Sequence, residues 1–146
     1  MKRTRFWLSI FAPFLWMALI FYFSSQVGPA SNAHSNPLAD LTGLAPWIIR
    51  KSAHFVLYFI LGLLVYNFFH AIKRPSIFWS IVVCVLYAAS DEIHQYFVPG
   101  RAALVSDVIL DSVASIIAII MLKYIYEKIA SRRHHRPNQR RKVQSS

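Results

Sequence analysis

Apolar residues fall in four long runs along the chain, and the length of each run decides what it can do. A helix needs about 20 mostly apolar residues to cross the hydrocarbon of a bilayer. Phe6 to Phe23 is uncharged throughout, and Ser52 to Ile72 is a second stretch without Asp, Glu, Lys or Arg. The third run, Pro75 to Ser90, and the fourth, Ser112 to Leu122, are uncharged but short. Each reaches a full span only by taking in its acidic end, Asp91 and Glu92 in the third and Asp107 and Asp111 in the fourth. The pattern predicts an all-α membrane protein, a bundle of four transmembrane helices. Pro13 lies inside the first run and predicts a kink, which neighbouring helices tolerate in a membrane.

The breaks between the runs differ in kind. Val27 to Trp47 is rich in Gly, Pro, Asn and Ser and predicts an irregular loop, with an apolar stretch from Leu41 to Ile49 suited to the membrane interface. The Lys73-Arg74-Pro75 link is short. Val98-Pro99-Gly100-Arg101 suits a type II turn, because proline presets the first central position and glycine supplies the positive φ of the second. The third and fourth helices are therefore predicted to form an antiparallel hairpin.

Charge then sets orientation. With a cytoplasmic N-terminus, Lys2, Arg3, Arg5, Lys73, Arg74, Lys123, Lys128 and the six basic residues Arg132, Arg133, Arg136, Arg140, Arg141 and Lys142 all lie inside. Only Arg50, Lys51 and Arg101 lie outside, so the positive-inside rule places both termini in the cytoplasm. Residues 1–5 read as a basic cytoplasmic N-terminus, 6–126 as the transmembrane domain, and 127–146 as a basic, disordered cytoplasmic tail whose charges favour anionic lipid. A cleaved signal peptide is the alternative for the first run, but its apolar stretch exceeds the usual h-region of about 7–15 residues.

Composition agrees with this reading and narrows the chemistry. Hydrophobic residues make up 56% of the chain and charged residues 15%, below the level of about 25% usual for soluble domains. The net charge of +10 sits in short runs and in the tail, not on a folded basic face, which argues against nucleic acid as a partner. The single cysteine, Cys84, reads as packing, and His134 and His135 stand apart from other ligands, so neither a metal nor another cofactor is expected.

The same orientation gathers the polar residues at the outer face. Ser24 and Gln26 end the first helix there. Lys51 and His54 begin the second. Asp91, Glu92, His94 and Gln95 end the third, Arg101 lies in the turn, and Asp107 and Asp111 open the fourth. Lys51, His54 and Tyr58 share one helical face, Tyr87, Asp91 and His94 or Gln95 another, and Asp107, Asp111 and Ser115 a third. Facing lipid, such groups would cost several kcal/mol each, so they are expected to turn inward to a shared pocket. Asp107 also suits a helix start by itself. Lys51 and His54 at a helix start, and Asp91 and Glu92 at a helix end, oppose the helix dipole, and the expectation is that these two pairs face each other across antiparallel helices.

The residues quoted also carry a resemblance. Phe23-Ser24-Ser25-Gln26, then Lys51-Ser-Ala-His54-Phe55 with Tyr58, Leu61 and Gly62, then Asp91-Glu92-Ile-His94-Gln95-Tyr-Phe97-Val-Pro99-Gly100-Arg101 with Asp107 and Asp111, resemble the VanZ-like family over roughly residues 10–125. Asp111 stands where some members have asparagine, and Ala114 where a glycine is common. The resemblance implies a bacterial cell-membrane protein of the envelope, in a family named for a member linked to teicoplanin resistance. It implies no settled chemistry.

Four accounts of the cluster stand side by side. In the first, Lys51, His54, Asp91, Glu92, Gln95, Arg101, Asp107 and Asp111 bind a lipid headgroup, a wall precursor or a glycopeptide-related ligand, with Arg101 and Lys51 taking its phosphate or carboxylate. In the second, His54, Asp91, Glu92 and His94 supply acid–base catalysis on a lipid phosphate, with His54 as proton shuttle and Glu92 as base. The third is ion or proton conduction, although the inner halves of the spans offer little beyond Asn67 and His70. The fourth is a salt-bridged cap that locks the bundle.

Overall fold

The structure, a computed structural model, describes residues 2–26, 41–101 and 103–143, so most of the loop after the first span, including Asp40, and the last three residues lie outside it. The described residues form four helices, α1 (Lys2–Ser24), α2 (Pro46–Ala71), α3 (Ile77–Tyr96) and α4 (Val105–Val143). All four hold a stretch long and apolar enough to cross a membrane: Phe6–Ser24, Trp47–Ala71, Ile77–Tyr96 and Val105–Arg132. The third and fourth spans do take in Asp91, Glu92, Asp107 and Asp111. This is a multi-pass membrane protein. Pro13 lies within α1, which remains one helix through it.

Local chemistry sets the boundaries. Pro46 opens α2, where a missing N–H costs nothing. At its other end Lys73 adopts φ 58° and the Arg74 amide donates to Phe69 O at 2.9 Å. That is a left-handed cap with lysine in glycine's usual place, and Pro75 blocks continuation. The Ser76 hydroxyl accepts from the Trp79 amide at 3.2 Å and caps α3. Between α3 and α4, Gly100 has φ 77° and the Arg101 amide donates to Val98 O at 3.1 Å, as a type II turn requires.

At the C-terminus the backbone of α4 is helical through Val143, past the apolar part of the span. No glycine interrupts Val105–Arg136, and Lys, Glu, Ala, Ile and Arg are good or neutral helix formers, so the helix has no local cause to stop where its apolar surface does.

The helices pack around Ile20, Tyr58, Leu61, Val65, Tyr66, Cys84, Ala88, Ala114 and Ile119, all buried. Cys84 is part of this packing. The outward side of α1 is different: Phe6, Trp7, Leu8, Phe11, Phe14 and Leu15 are exposed, as are Trp47 and Trp79 on other helices. In water so large an apolar surface would be a liability, whereas it suits lipid.

The longest seam joins α2 to α4, two helices that run parallel and begin at the same end of the bundle. Gly62 makes it possible. A Cβ there would lie 2.5 Å from Ser115 O and 2.9 Å from Ser115 Cα, so no side chain fits between the two backbones. Ala114 and Ala118 are fully buried on the facing helix. The small residue that allows the approach is thus on α2, and α4 needs no glycine at Ala114.

Candidate functional site

The end of the bundle where α1 and α3 finish and α2 and α4 start collects the polar side chains. They sort into two networks. The first follows the α2–α4 seam. Lys51 Nζ pairs with Asp107 Oδ1, His54 Nδ1 lies 3.4 Å from Asp111 Oδ2, and the Ser115 hydroxyl donates to Tyr58 O at 3.0 Å. Partners are 56 or 57 residues apart in each case, as a parallel pair in constant register demands. Asp107 lies in the first turn of α4, so its charge also meets the helix N-terminus favourably.

The direct partners differ from the expected facing of Lys51 and His54 with Asp91 and Glu92, although His54 also interacts electrostatically with both of those acids. Lys51 and His54 bind acids of α4, not of α3. The dipole argument was right that a cation at a helix start needs an acid, but it does not choose the helix that supplies one. Close approach at Gly62 does, because it brings the α4 carboxyls nearest.

The second network ties α1 to α3 and the turn. Ser24 Oγ donates to Asp91 Oδ2 at 2.9 Å, and Gln95 Nε2 donates to the same oxygen at 3.1 Å. Arg101 Nη1 donates to Gln95 Oε1 at 3.0 Å, Nε to Gln26 O at 3.1 Å and Nη2 to Phe23 O at 3.2 Å. Arg101 therefore places its charge on the last carbonyls of α1, where the helix dipole and the unpaired C=O groups favour a cation. Burial lowers its guanidinium from the ordinary value, and the nearby Asp91 and Glu92 carboxyls act the other way.

His94 stands at the edge of this network. Its ring stacks on Phe21 at 4.3 Å and its Nε2 lies 3.1 Å from Ser25 Oγ. The Ser25 hydroxyl donates to Phe21 O at 2.7 Å, so its one proton is spent and the His94 Nε2–H is the donor of that pair. Glu92 departs from both networks. Its Oε2 accepts from the Leu104 amide at 2.9 Å, just ahead of α4, and satisfies one of the donors that a helix start leaves open.

What remains unsatisfied is the distinctive feature. Tyr58 Oη, Asp91 Oδ1, Glu92 Oε1 and Asp111 Oδ1 are shielded from water; the Tyr58 hydroxyl has the Asp91 carboxyl within reach, whereas Glu92 Oε1 and Asp111 Oδ1 have no hydrogen-bond partner among the described residues. Their residues are at most 4% exposed. Tyr58 interacts electrostatically with both Asp91 and Asp111, and Glu92 with His54 and Asp111, so the four belong to one region between α2, α3 and α4. Two carboxyl oxygens without partners among the described residues suit a ligand that brings donors. Among the described residues no group of three His, Cys, Asp or Glu side chains is arranged to hold a metal ion.

The predicted residues Lys51, His54, Asp91, Glu92, Gln95, Arg101, Asp107 and Asp111 are thus all at one end of the bundle, but not in one ring. His94 packs apart, against α1. Two participants escaped the sequence reading. Ser25 was visible only as part of the Ser-Ser-Gln motif, and the Leu104 amide, a backbone donor, has no sequence signature at all.

A family model described as VanZ/LLP1 matches residues 9–126, which hold every residue of both networks. Comparison with curated proteins and with solved structures found no match.

Proposed function

The chain belongs to the VanZ/LLP1 family, and we propose that its polar end is a binding site at the outer face of a bacterial plasma membrane. Both termini are then cytoplasmic, as thirteen inner against three outer Lys and Arg residues favour. The ligand is an envelope lipid headgroup or wall-related molecule, and its capture lowers susceptibility to glycopeptides such as teicoplanin.

The observation that carries this reading is the pair of buried carboxyl oxygens, Glu92 Oε1 and Asp111 Oδ1, without partners among the described residues. A buried acceptor left unpaired costs about 1–3 kcal/mol, more when charged, so a cap whose only task is to lock helices has every reason to pair them. The chemistry of the expected ligand shifts accordingly. Arg101 and Lys51 are engaged by protein acceptors, which disfavours a phosphate or carboxylate as the main contact. Ammonium, amide or hydroxyl donors complement the open carboxyl oxygens of Asp111 and Glu92.

A second reading draws on the His54–Asp111 pair. An acid beside a histidine orients it for proton transfer, so a membrane enzyme acting on a lipid phosphate, with His54 as shuttle and Glu92 as base, is the alternative.

The test is teicoplanin susceptibility of a sensitive Gram-positive host expressing wild type, Asp111→Asn or Glu92→Gln at matched membrane levels. The expected result is protection by wild type and its loss in both variants. Protection by the variants equal to wild type would remove these carboxyls from the function. Wild type without protection would overturn the glycopeptide reading.

A further inference from the structure

Tyr58 joins the two networks of the polar end, and no side chain there is more completely buried. Its backbone oxygen accepts from Ser115 of α4 at 3.0 Å, which fixes its place on the α2–α4 seam. Two rings neighbour its own. One is His54, a helical turn earlier, parallel to within 12° and 6.4 Å away between centroids. The other is Tyr87 of α3, at 6.2 Å, whose hydroxyl donates to Met17 O of α1 at 2.6 Å. His54 in turn ends against Asp111.

The Tyr58 hydroxyl has the Asp91 carboxyl within reach. Asp91 already holds two donors on Oδ2, Ser24 from α1 and Gln95 from its own helix. Its Oδ1 is the oxygen shielded from water and still open to a third. A buried phenol and a buried carboxyl oxygen are each costly to leave unpaired, and one bond satisfies both. A tyrosine side chain turns about only two χ angles, so a tethered Oη also sets the plane of the ring. That plane is the one on which His54 stacks. The His54–Asp111 contact, at 3.4 Å, is long for a hydrogen bond and orients the imidazole weakly by itself.

We propose that Asp91 is a positioning residue: its Oδ1 takes the Tyr58 hydroxyl, the tether sets the Tyr58 ring, and the ring holds the His54 imidazole beside Asp111. The inference deepens the binding reading of the polar end and rests on it for its purpose. It divides the acids by task. Asp91 gathers donors from α1, α2 and α3, whereas Asp111 and Glu92 each keep an oxygen open.

The experiment uses the full chain in detergent micelles with 15N-labelled histidine, and the His54 ring signal is assigned by its absence in His54→Gln. Asp91→Asn should move that signal. In the Tyr58→Phe background, which keeps every charge, the movement should shrink at least about twofold, because only the direct effect of the lost carboxylate charge remains. Ser24→Ala takes a donor from Asp91 without changing any charge and should show the same dependence on Tyr58, so a poorly folded Asp91→Asn leaves the test intact. In a second cycle, read by unfolding in detergent, Tyr58→Phe and Asp91→Asn should be coupled by about tenfold in the unfolding constant, as one hydrogen bond to a charged group gives. Equal movement of the His54 signal in both backgrounds would mean that His54 senses only the charge of Asp91, and additive unfolding effects would mean that Tyr58 is not bonded to it. Either result overturns the proposal. Neither readout needs a ligand, so a failure of the glycopeptide reading leaves both standing, and a failure here leaves that reading to its own assay.

Discussion

The α2–α4 seam ends in polar side chains at both ends of the bundle, and the two ends treat those groups differently. At the end away from the site, Asn67 is fully used. Its amide donates to Ser9 Oγ at 3.0 Å and its carbonyl accepts from Tyr126 Oη at 2.7 Å, with the His70 ring 4.3 Å from that of Tyr126. Three helices are clipped together, and Asn67 keeps no unpaired buried atom. At the site end the seam holds Lys51–Asp107 and His54–Asp111, yet Asp111 Oδ1 and, beside it, Glu92 Oε1 are buried with no partner among the described residues. A staple pairs its polar atoms with each other, whereas a site keeps capacity for something else. On the proposed function, the contrast separates a structural end from a binding end without appeal to the identity of the residues.

Breaking the seam itself should affect both ends most. Gly62→Ala puts a methyl 2.5 Å from Ser115 O, a backbone atom that cannot swing aside. The helices must separate, and overpacking of this kind costs about 3 kcal/mol. Thermal unfolding in detergent, followed by loss of helical circular dichroism, should show the largest fall in Tm of any variant described here. A Tm unchanged from wild type would mean that the seam does not hold the two ends in register.

That dependence on Gly62 also explains what was and was not legible in the sequence. The four spans, the acids they absorb and the Pro99-Gly100 turn follow from hydrophobic length and one residue's backbone freedom, both local properties. The helical faces of Lys51, His54 and Tyr58 and of Asp107, Asp111 and Ser115 were also legible. What was not legible is which faces meet. That choice rests on how near two backbones come, and Gly62 reveals its part only when Ser115 is known to lie against it. Arg101 illustrates the same limit. Its charge reads as an anion site until the carbonyls of Phe23 and Gln26, invisible in a sequence, are seen to occupy it.

The next effect is smaller and is confined to the staple. Asn67→Ala removes two hydrogen bonds and leaves the Ser9 and Tyr126 hydroxyls to find other partners. Interhelical hydrogen bonds in membrane proteins are worth about 0.6 kcal/mol on average, so the cost should be about 1–2 kcal/mol. Function should survive at matched protein levels, because the clip lies at the opposite end from the orphan carboxyls. Unfolding in detergent gives the stability, and the susceptibility assay gives the function. Loss of protection with the fold intact would show that the two ends are coupled and would break the contrast.

The smallest stability effect is expected at the site, from Asp111→Asn. Asp111 is fully buried, with Oδ2 3.4 Å from His54 and Oδ1 unpaired. Asparagine has nearly the same shape and keeps an oxygen to face His54, while the buried ionisable group disappears. Removing an uncompensated buried carboxyl relieves about as much desolvation as the weak His54 contact supplies, so the net change should stay within about 0.5 kcal/mol. Binding should nonetheless fall, because the acceptor that lacked a partner becomes a donor, and donors are what the proposed ligand already brings. Stability retained with protection lost is the signature of a group kept for function at the expense of packing. If Asp111→Asn instead unfolds the protein more readily than Asn67→Ala, then Asp111 is a lock like Asn67, and the two ends of the seam differ in geometry but not in purpose.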